Sequence, residues 1–178
     1  NLTCLKREKS VFPFSTDFND NQCRWVTGDL TDLPLLEEQV AAHEVIIHMA
    51  ADVTFSTKNK KKYLQNAINT SANIVNAALY TGVKKIIHIS SVAAIGRKKQ
   101  RENIDEHVSF SHSPYDTTYG LAKFLAEQEI WRGHAEGLEV TVLNPSMILG
   151  KGDWKKSSIQ LFDKISKGLR YYPKGTTG

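Results

Sequence analysis

Two short runs, Glu44-Val-Ile-Ile-His-Met49 and Lys84-Lys-Ile-Ile-His-Ile89, constrain the fold more than any other part of this chain. Each has an almost unbroken apolar centre of β-branched residues and is too short for an ordinary helix. That pattern belongs to a strand buried on both faces. Between them, from Asn59 to Tyr80, Leu64, Ile68, Ala72, Val75 and Leu79 recur at three- and four-residue spacing. They form the apolar stripe of one long helix, which Gly82 stops. Strand, long helix, strand is a crossover unit, and such a crossover joins parallel strands.

The flanking residues continue the alternation. Leu2–Leu5 and Cys23–Thr27 read as strands, with a polar loop over 13–22 between them. Asp32 is placed to cap a short helix bearing Leu35, Leu36, Val40 and Ala41. A helix opened by Pro114 runs to about Ala135, Leu138–Leu143 is a further strand, and Ser157–Lys167 a last helix. The polar stretch Gly96–Ser113 is long enough to be a functional loop. The fold class is therefore α/β, a parallel sheet with crossover helices. In such open sheets ligands bind at the carboxyl ends of the strands. Asp29, Ala50-Ala51, Ser90-Ser91 and Asn144-Pro145 each fall just after a strand, so they gather at one edge.

At 40% apolar and 24% charged residues the composition is that of a globular chain. The basic runs Lys58–Lys62 and Arg97–Arg101 lack interleaved aromatics, so they read as solvated charge rather than a nucleic-acid surface. Cys4 and Cys23 are too few for a disulfide framework and read as free thiols of a reducing, cytoplasmic compartment. No apolar run approaches the ~20 residues of a membrane span. Asn69-Thr-Ser71 matches a glycosylation acceptor, but it falls inside the long helix. His48 and His88, inside apolar strands, read as satisfied core histidines, and no metal set is expected.

Tyr119-Gly-Leu-Ala-Lys123 sets a phenol and an amine four residues apart, on one face of the helix that carries them. An ammonium beside a phenol favours the phenolate, which suits tyrosine to proton transfer. Taken alone, the pair also fits an ordinary helix surface.

Together with Gly28-Asp-Leu-Thr-Asp32, His48-Met-Ala-Ala51, Ser90-Ser-Val-Ala-Ala-Ile-Gly96 and Asn144-Pro-Ser-Met-Ile-Leu-Gly150, this pentapeptide resembles the extended short-chain dehydrogenases/reductases of the NAD-dependent epimerase/dehydratase kind. The motifs come in the family's order and span most of the chain; none is specific alone. The resemblance implies Ser91, Tyr119 and Lys123 as catalytic residues, with Lys123 also holding the nicotinamide ribose. It implies Asp29 and Leu30 beside the adenine, Ala50 and Ala51 where the backbone approaches the cofactor, and Ser90 as a neighbour of the site. Asn144, Pro145, Ser146 and Ile148 would form the loop beside the nicotinamide. The resemblance implies that residues 1–150 are an incomplete dinucleotide-binding Rossmann domain, a doubly wound parallel sheet lacking its first strand, glycine-rich turn and first helix, and that 151–178 start a substrate-binding lobe.

Two departures accompany the resemblance. The family begins with a strand, a glycine-rich turn and a helix, none of which precedes Leu2 here. The expectation is a longer parent protein with roughly 25–35 further residues upstream, the size of that unit. Relatives also continue past Gly178. In addition, Ala67 stands where many relatives carry an asparagine of the active site, and Asn66 and Asn69 point elsewhere on the helix.

Lys6-Arg7, with Ser10 nearby, follows the first strand, where a basic residue suits a 2′-phosphate and a carboxylate would suit a 2′-hydroxyl. NADP is therefore expected over NAD. Val92, Ala93 and Ala94 follow Ser91 where the family's dehydratases carry acidic residues, and Ile95 stands where many epimerases have tyrosine. The pattern is more similar to dihydroflavonol reductases and 3β-hydroxysteroid dehydrogenases. It implies carbonyl or alcohol oxidoreduction on a small, fairly apolar substrate, with no nucleic-acid or membrane partner and a possible homodimer through the helices at 59–80 and 114–135. A sugar-nucleotide epimerase and a non-catalytic dinucleotide sensor are the alternatives.

Overall fold

The computed structural model describes residues 2–10, 23–51, 59–95, 105–108, 110, 116–148 and 159–168. The loop expected at 13–22, most of that at 96–113, and Pro114 lie outside the described residues. The chain divides into two compact units, one of residues 1–28 with 146–178 and one of residues 29–145.

In the first unit, β1 (Leu2–Lys6) pairs in parallel with β2 (Cys23–Thr27), Cys4 opposite Trp25. The Gly28 N–H donates to the Lys6 carbonyl at 2.9 Å, extending the ladder past β2. Helix α4 (Ile159–Ser166) also belongs to this unit.

The second unit holds α1 (Leu33–Ala41), β3 (Val45–His48), α2 (Lys60–Thr81), β4 (Lys85–Ile89), a 3₁₀ turn (Val92–Ala94), α3 (Thr118–Ala135) and β5 (Glu139–Leu143). The strands form one parallel sheet in the order β3-β4-β5, with His48 opposite His88 and Lys85 opposite Glu139. Helices α1 and α3 each pack on α2, and α3 also lies on β4 and β5.

Local chemistry explains the helix ends. Asp32 caps α1 as expected, its Oδ1 accepting the Leu35 N–H at 3.3 Å. Helix α2 closes on Gly82, whose φ of 79° is the left-handed conformation glycine adopts without strain. Helix α3 opens at Thr118 rather than Pro114, because the Thr117 hydroxyl takes the Gly120 N–H at 3.0 Å.

Two details of burial differ from the sequence reading. Ser71, Ile74, Val75, Ala77 and Ala78 are the buried residues of α2, whereas Leu64, Ile68, Ala72 and Leu79 are half-buried. Flanked by two helices, α2 buries a wider arc than a single stripe. Among the described residues strand β3 is covered on one face: His48 is buried, while Val45 and Ile47, which alternate with it, are 42% and 54% exposed. In this unit α1, α2 and α3 pack in sequence against one another, and His48 meets α2.

Candidate active site

Because β3, β4 and β5 are parallel, the residues following them share one edge. The pairing of β4 and β5 continues beyond the strands: the Ser90 N–H donates to the Leu143 carbonyl at 2.8 Å, and the Val92 N–H to the Pro145 carbonyl at 3.1 Å. Ser91 leaves β4 extended, and its Oγ accepts the Ala93 N–H at 3.2 Å, capping the 3₁₀ turn. A hydroxyl that accepts in this way keeps its own hydrogen to donate. The Ser90 hydroxyl is buried and makes no hydrogen bond among the described residues.

Helix α3 brings the remaining groups. Gly120 is buried against the 3₁₀ turn, where an added Cβ would lie 2.6 Å from the Ala93 carbonyl oxygen. The half-buried Tyr119 lies in the first turn, beside that contact. Lys123, one turn on, is only 6% exposed, and its Nζ donates to the carbonyl of Ile89, the last residue of β4, at 2.9 Å. The spacing read from the sequence therefore puts both groups on one helix face, with the amine at the carboxyl edge of the sheet. Burial pushes the Lys123 pKa down, and the Glu127 carboxylate, a turn further along, pulls it back up.

Glu127 is itself buried, and its Oε1 accepts from Asn144 Nδ2 at 2.6 Å. The same amide donates to the Ser91 carbonyl at 3.1 Å. His48 and His88 lie on the helix side of the sheet, ring centroids 5.0 Å apart. Burial first, then His88 and Lys123, hold His48 at about 3. Burial first, then Lys123, holds His88 at about 4. His48 Nε2 lies 3.3 Å from the Ser71 hydroxyl. Among the described residues neither ring nitrogen of His88 has a hydrogen-bond partner of ordinary geometry.

The remaining candidates fall in two groups. In the second unit, Asp29 is exposed and its Oδ1 accepts the Thr31 N–H and hydroxyl at 2.9 and 2.8 Å. The Leu30 carbonyl accepts from Asn73 Nδ2 at 2.8 Å, which pins this turn to α2. Ala50 and Ala51 are exposed, and Pro145 is half-buried. In the first unit, Arg7 and Ser10 stand in an exposed turn directly after β1, the Ser10 N–H donating to the Arg7 carbonyl at 2.9 Å. Ser146 and Ile148, also of that unit, are exposed.

Hydrogen bonds thus link Lys123 to the end of β4 and Asn144 to the Ser91 peptide. Sequence reasoning passed over Glu127, Gly120 and the pinning role of Asn73. For Glu127 a signal existed: it continues the four-residue spacing of Tyr119 and Lys123 along α3.

The sequence profile of the NAD dependent epimerase/dehydratase family matches residues 1–174. A putative dihydroflavonol 4-reductase of Synechocystis sp. is 30% identical over 131 residues, 74% of this chain and 38% of that protein. Among solved structures, that of gox2253 is 29% identical with a TM-score of 0.76, over 92% of this chain and 49% of that one. The Bordetella bronchiseptica enzyme WbmG in complex with NAD shares the fold, with a TM-score of 0.73 at 16% identity over 96% of this chain and 53% of its own. The chain spans 38–40% of the length of the first three curated relatives it matches.

Proposed function

The chain belongs to the NAD dependent epimerase/dehydratase family, and from that premise we propose that its protein is an NAD(P)-dependent oxidoreductase. It reduces a carbonyl, or oxidises an alcohol, on a small and fairly apolar substrate through Ser91, Tyr119 and Lys123. The observation that carries this reading is the buried Lys123 amine, anchored to the carbonyl of Ile89 on the helix face that bears Tyr119. A buried amine is unfavourable unless it is used or partnered, and this one lies at the edge where α/β sheets take their ligands.

The candidate residues of each unit suit a dinucleotide by their chemistry. Ala50 and Ala51 carry no bulk and are exposed, and Lys123 brings a donor suited to ribose hydroxyls. Asp29 and Leu30 would meet the adenine, with Ser90 as a neighbour of the site. Asn144, Pro145, Ser146 and Ile148 would border the nicotinamide. Arg7, exposed beside Ser10, suits a 2′-phosphate and supports NADP over NAD. When bound, such a cofactor supplies or accepts the hydride.

As a carbonyl is reduced its oxygen gathers negative charge. Ser91 donates a hydrogen bond to that oxygen, and its capping contact to Ala93 holds the hydroxyl for the task. Tyr119 delivers the proton and Lys123 balances the charge left on the phenol. In alcohol oxidation the same groups act in reverse. We extend the proposal to a homodimer through α2 and α3, supported by the exposed Tyr80 and Trp131.

The test is to incubate the parent protein with NADPH or NADH and a panel of aryl ketones and sugar nucleotides, following nicotinamide absorbance. Ketone-dependent NADPH oxidation is expected, and Tyr119→Phe should lower kcat by on the order of 10²–10⁴. Full turnover by Tyr119→Phe refutes the proposal, and conversion of a sugar nucleotide to its epimer with no net change in nicotinamide absorbance, read by chromatography of the products, makes the protein an epimerase.

A further inference from the structure

Lys123 is surrounded by groups that offer it little charge. On its sheet side, His48 of β3 and His88 of β4 are held neutral, and both feel the lysine. On α3, Tyr119 lies one turn before it and Glu127 one turn after it. From β5, the chain leads to Asn144. The carboxylate acting on Lys123 is that of Glu127, only 9% exposed. A buried carboxylate is costly unless its oxygens are hydrogen-bonded and its charge is met. Here Asn144 supplies a hydrogen bond at 2.6 Å and Lys123 supplies the opposite charge.

The second hydrogen-bond partner of the Asn144 amide is the Ser91 carbonyl, at 3.1 Å. Helix α3, the end of β5 and the end of β4 are therefore joined by one side-chain amide. The peptide it grips belongs to the residue whose hydroxyl meets the substrate under the proposed function.

We propose that Glu127 is a positioning residue of this active site. Its carboxylate holds Asn144, and through it the Ser91 peptide, in place, and its negative charge balances the buried Lys123. This rests on the Ser91, Tyr119 and Lys123 reading, which it deepens. Glu127 does not touch the reacting atoms; it acts through Asn144 and Lys123.

The test separates charge from reach. Glu127→Gln keeps an acceptor for Asn144 and removes the charge. Glu127→Asp keeps the charge and draws it back from Asn144. The first readout needs no substrate: nitrogen-15 NMR of the lysine side chains in the full protein, with Lys123 assigned by its loss in Lys123→Arg. In Glu127→Gln, Lys123 is expected to lose its proton at a pH lower by about one unit.

The second readout is the pH profile of reduction of the best ketone in the panel. Its alkaline limb should move down with the Lys123 titration in Glu127→Gln. In Glu127→Asp the limb should hold while kcat falls about tenfold. An unmoved Lys123 titration in Glu127→Gln overturns the charge role. An unaltered kcat in Glu127→Asp overturns the link to Ser91, and stands as a test even if Glu127→Gln does not fold. A fully active Tyr119→Phe removes the catalytic reading while leaving the NMR result to decide the Glu127–Lys123 pairing.

Discussion

Mild acid should destabilise this protein before its carboxylates titrate, and the buried histidine pair sets the size of the effect. Burial and the nearby lysine hold His48 at about 3 and His88 at about 4, whereas a histidine in an unfolded chain titrates near about 6.5. The folded pKa is the lower of the two, so the unfolded chain binds more protons. Stability is then complete above the unfolded value and is lost as pH falls through it, down towards the folded values. From pH 7 to pH 5 each ring contributes a loss of about 2 kcal/mol, and the pair about 4 kcal/mol if independent. That is a large share of the roughly 5–15 kcal/mol that holds a domain together.

Urea unfolding followed by tryptophan fluorescence at pH 8, 7, 6 and 5 measures it. The steepest part of the curve should approach the slope of two protons, about 2.7 kcal/mol per pH unit. His88→Met keeps an unbranched apolar filler in place of the ring and should remove about half of that slope. A wild-type stability that stays level from pH 7 to pH 5, or a His88→Met protein with the full slope, would refute the reasoning.

Two further substitutions probe the supports of the site. Gly120→Ala drives a methyl to 2.6 Å from the Ala93 carbonyl. It should cost about 1–3 kcal/mol by overpacking and lower kcat, read by thermal melts and ketone turnover; a neutral effect on both would show that α3 can back away from the turn. Asn73→Ala leaves the Leu30 carbonyl without its side-chain donor and should cost about 1–2 kcal/mol in urea unfolding. If stability is unchanged, the turn at Asp29 is held by its own Asp29–Thr31 contacts.

Much of the molecule was readable along the chain. The runs at Val45 and Lys84 form parallel neighbours, Asp32 caps its helix, Gly82 ends another, and Tyr119 and Lys123 share a helix face at the strand ends. Each of these depends on residues within a few positions of one another, where periodicity, side-chain size and φ preference act directly. The start of α3 differs from the expected one for the same local reason, because the Thr117 hydroxyl accepts the Gly120 N–H and caps the helix at Thr118.

Burial and long-range partners followed a different logic. The His88 ring buried beside His48, and Glu127 tied to Asn144 and through it to Ser91, bring together groups from separate elements, Asn144 and Ser91 being 53 positions apart. Short-range patterning in a chain records which elements form and which side chains share a face. It carries no record of which distant group fills the space beyond that face, since such neighbours exist only once the crossovers have closed and the layers have packed.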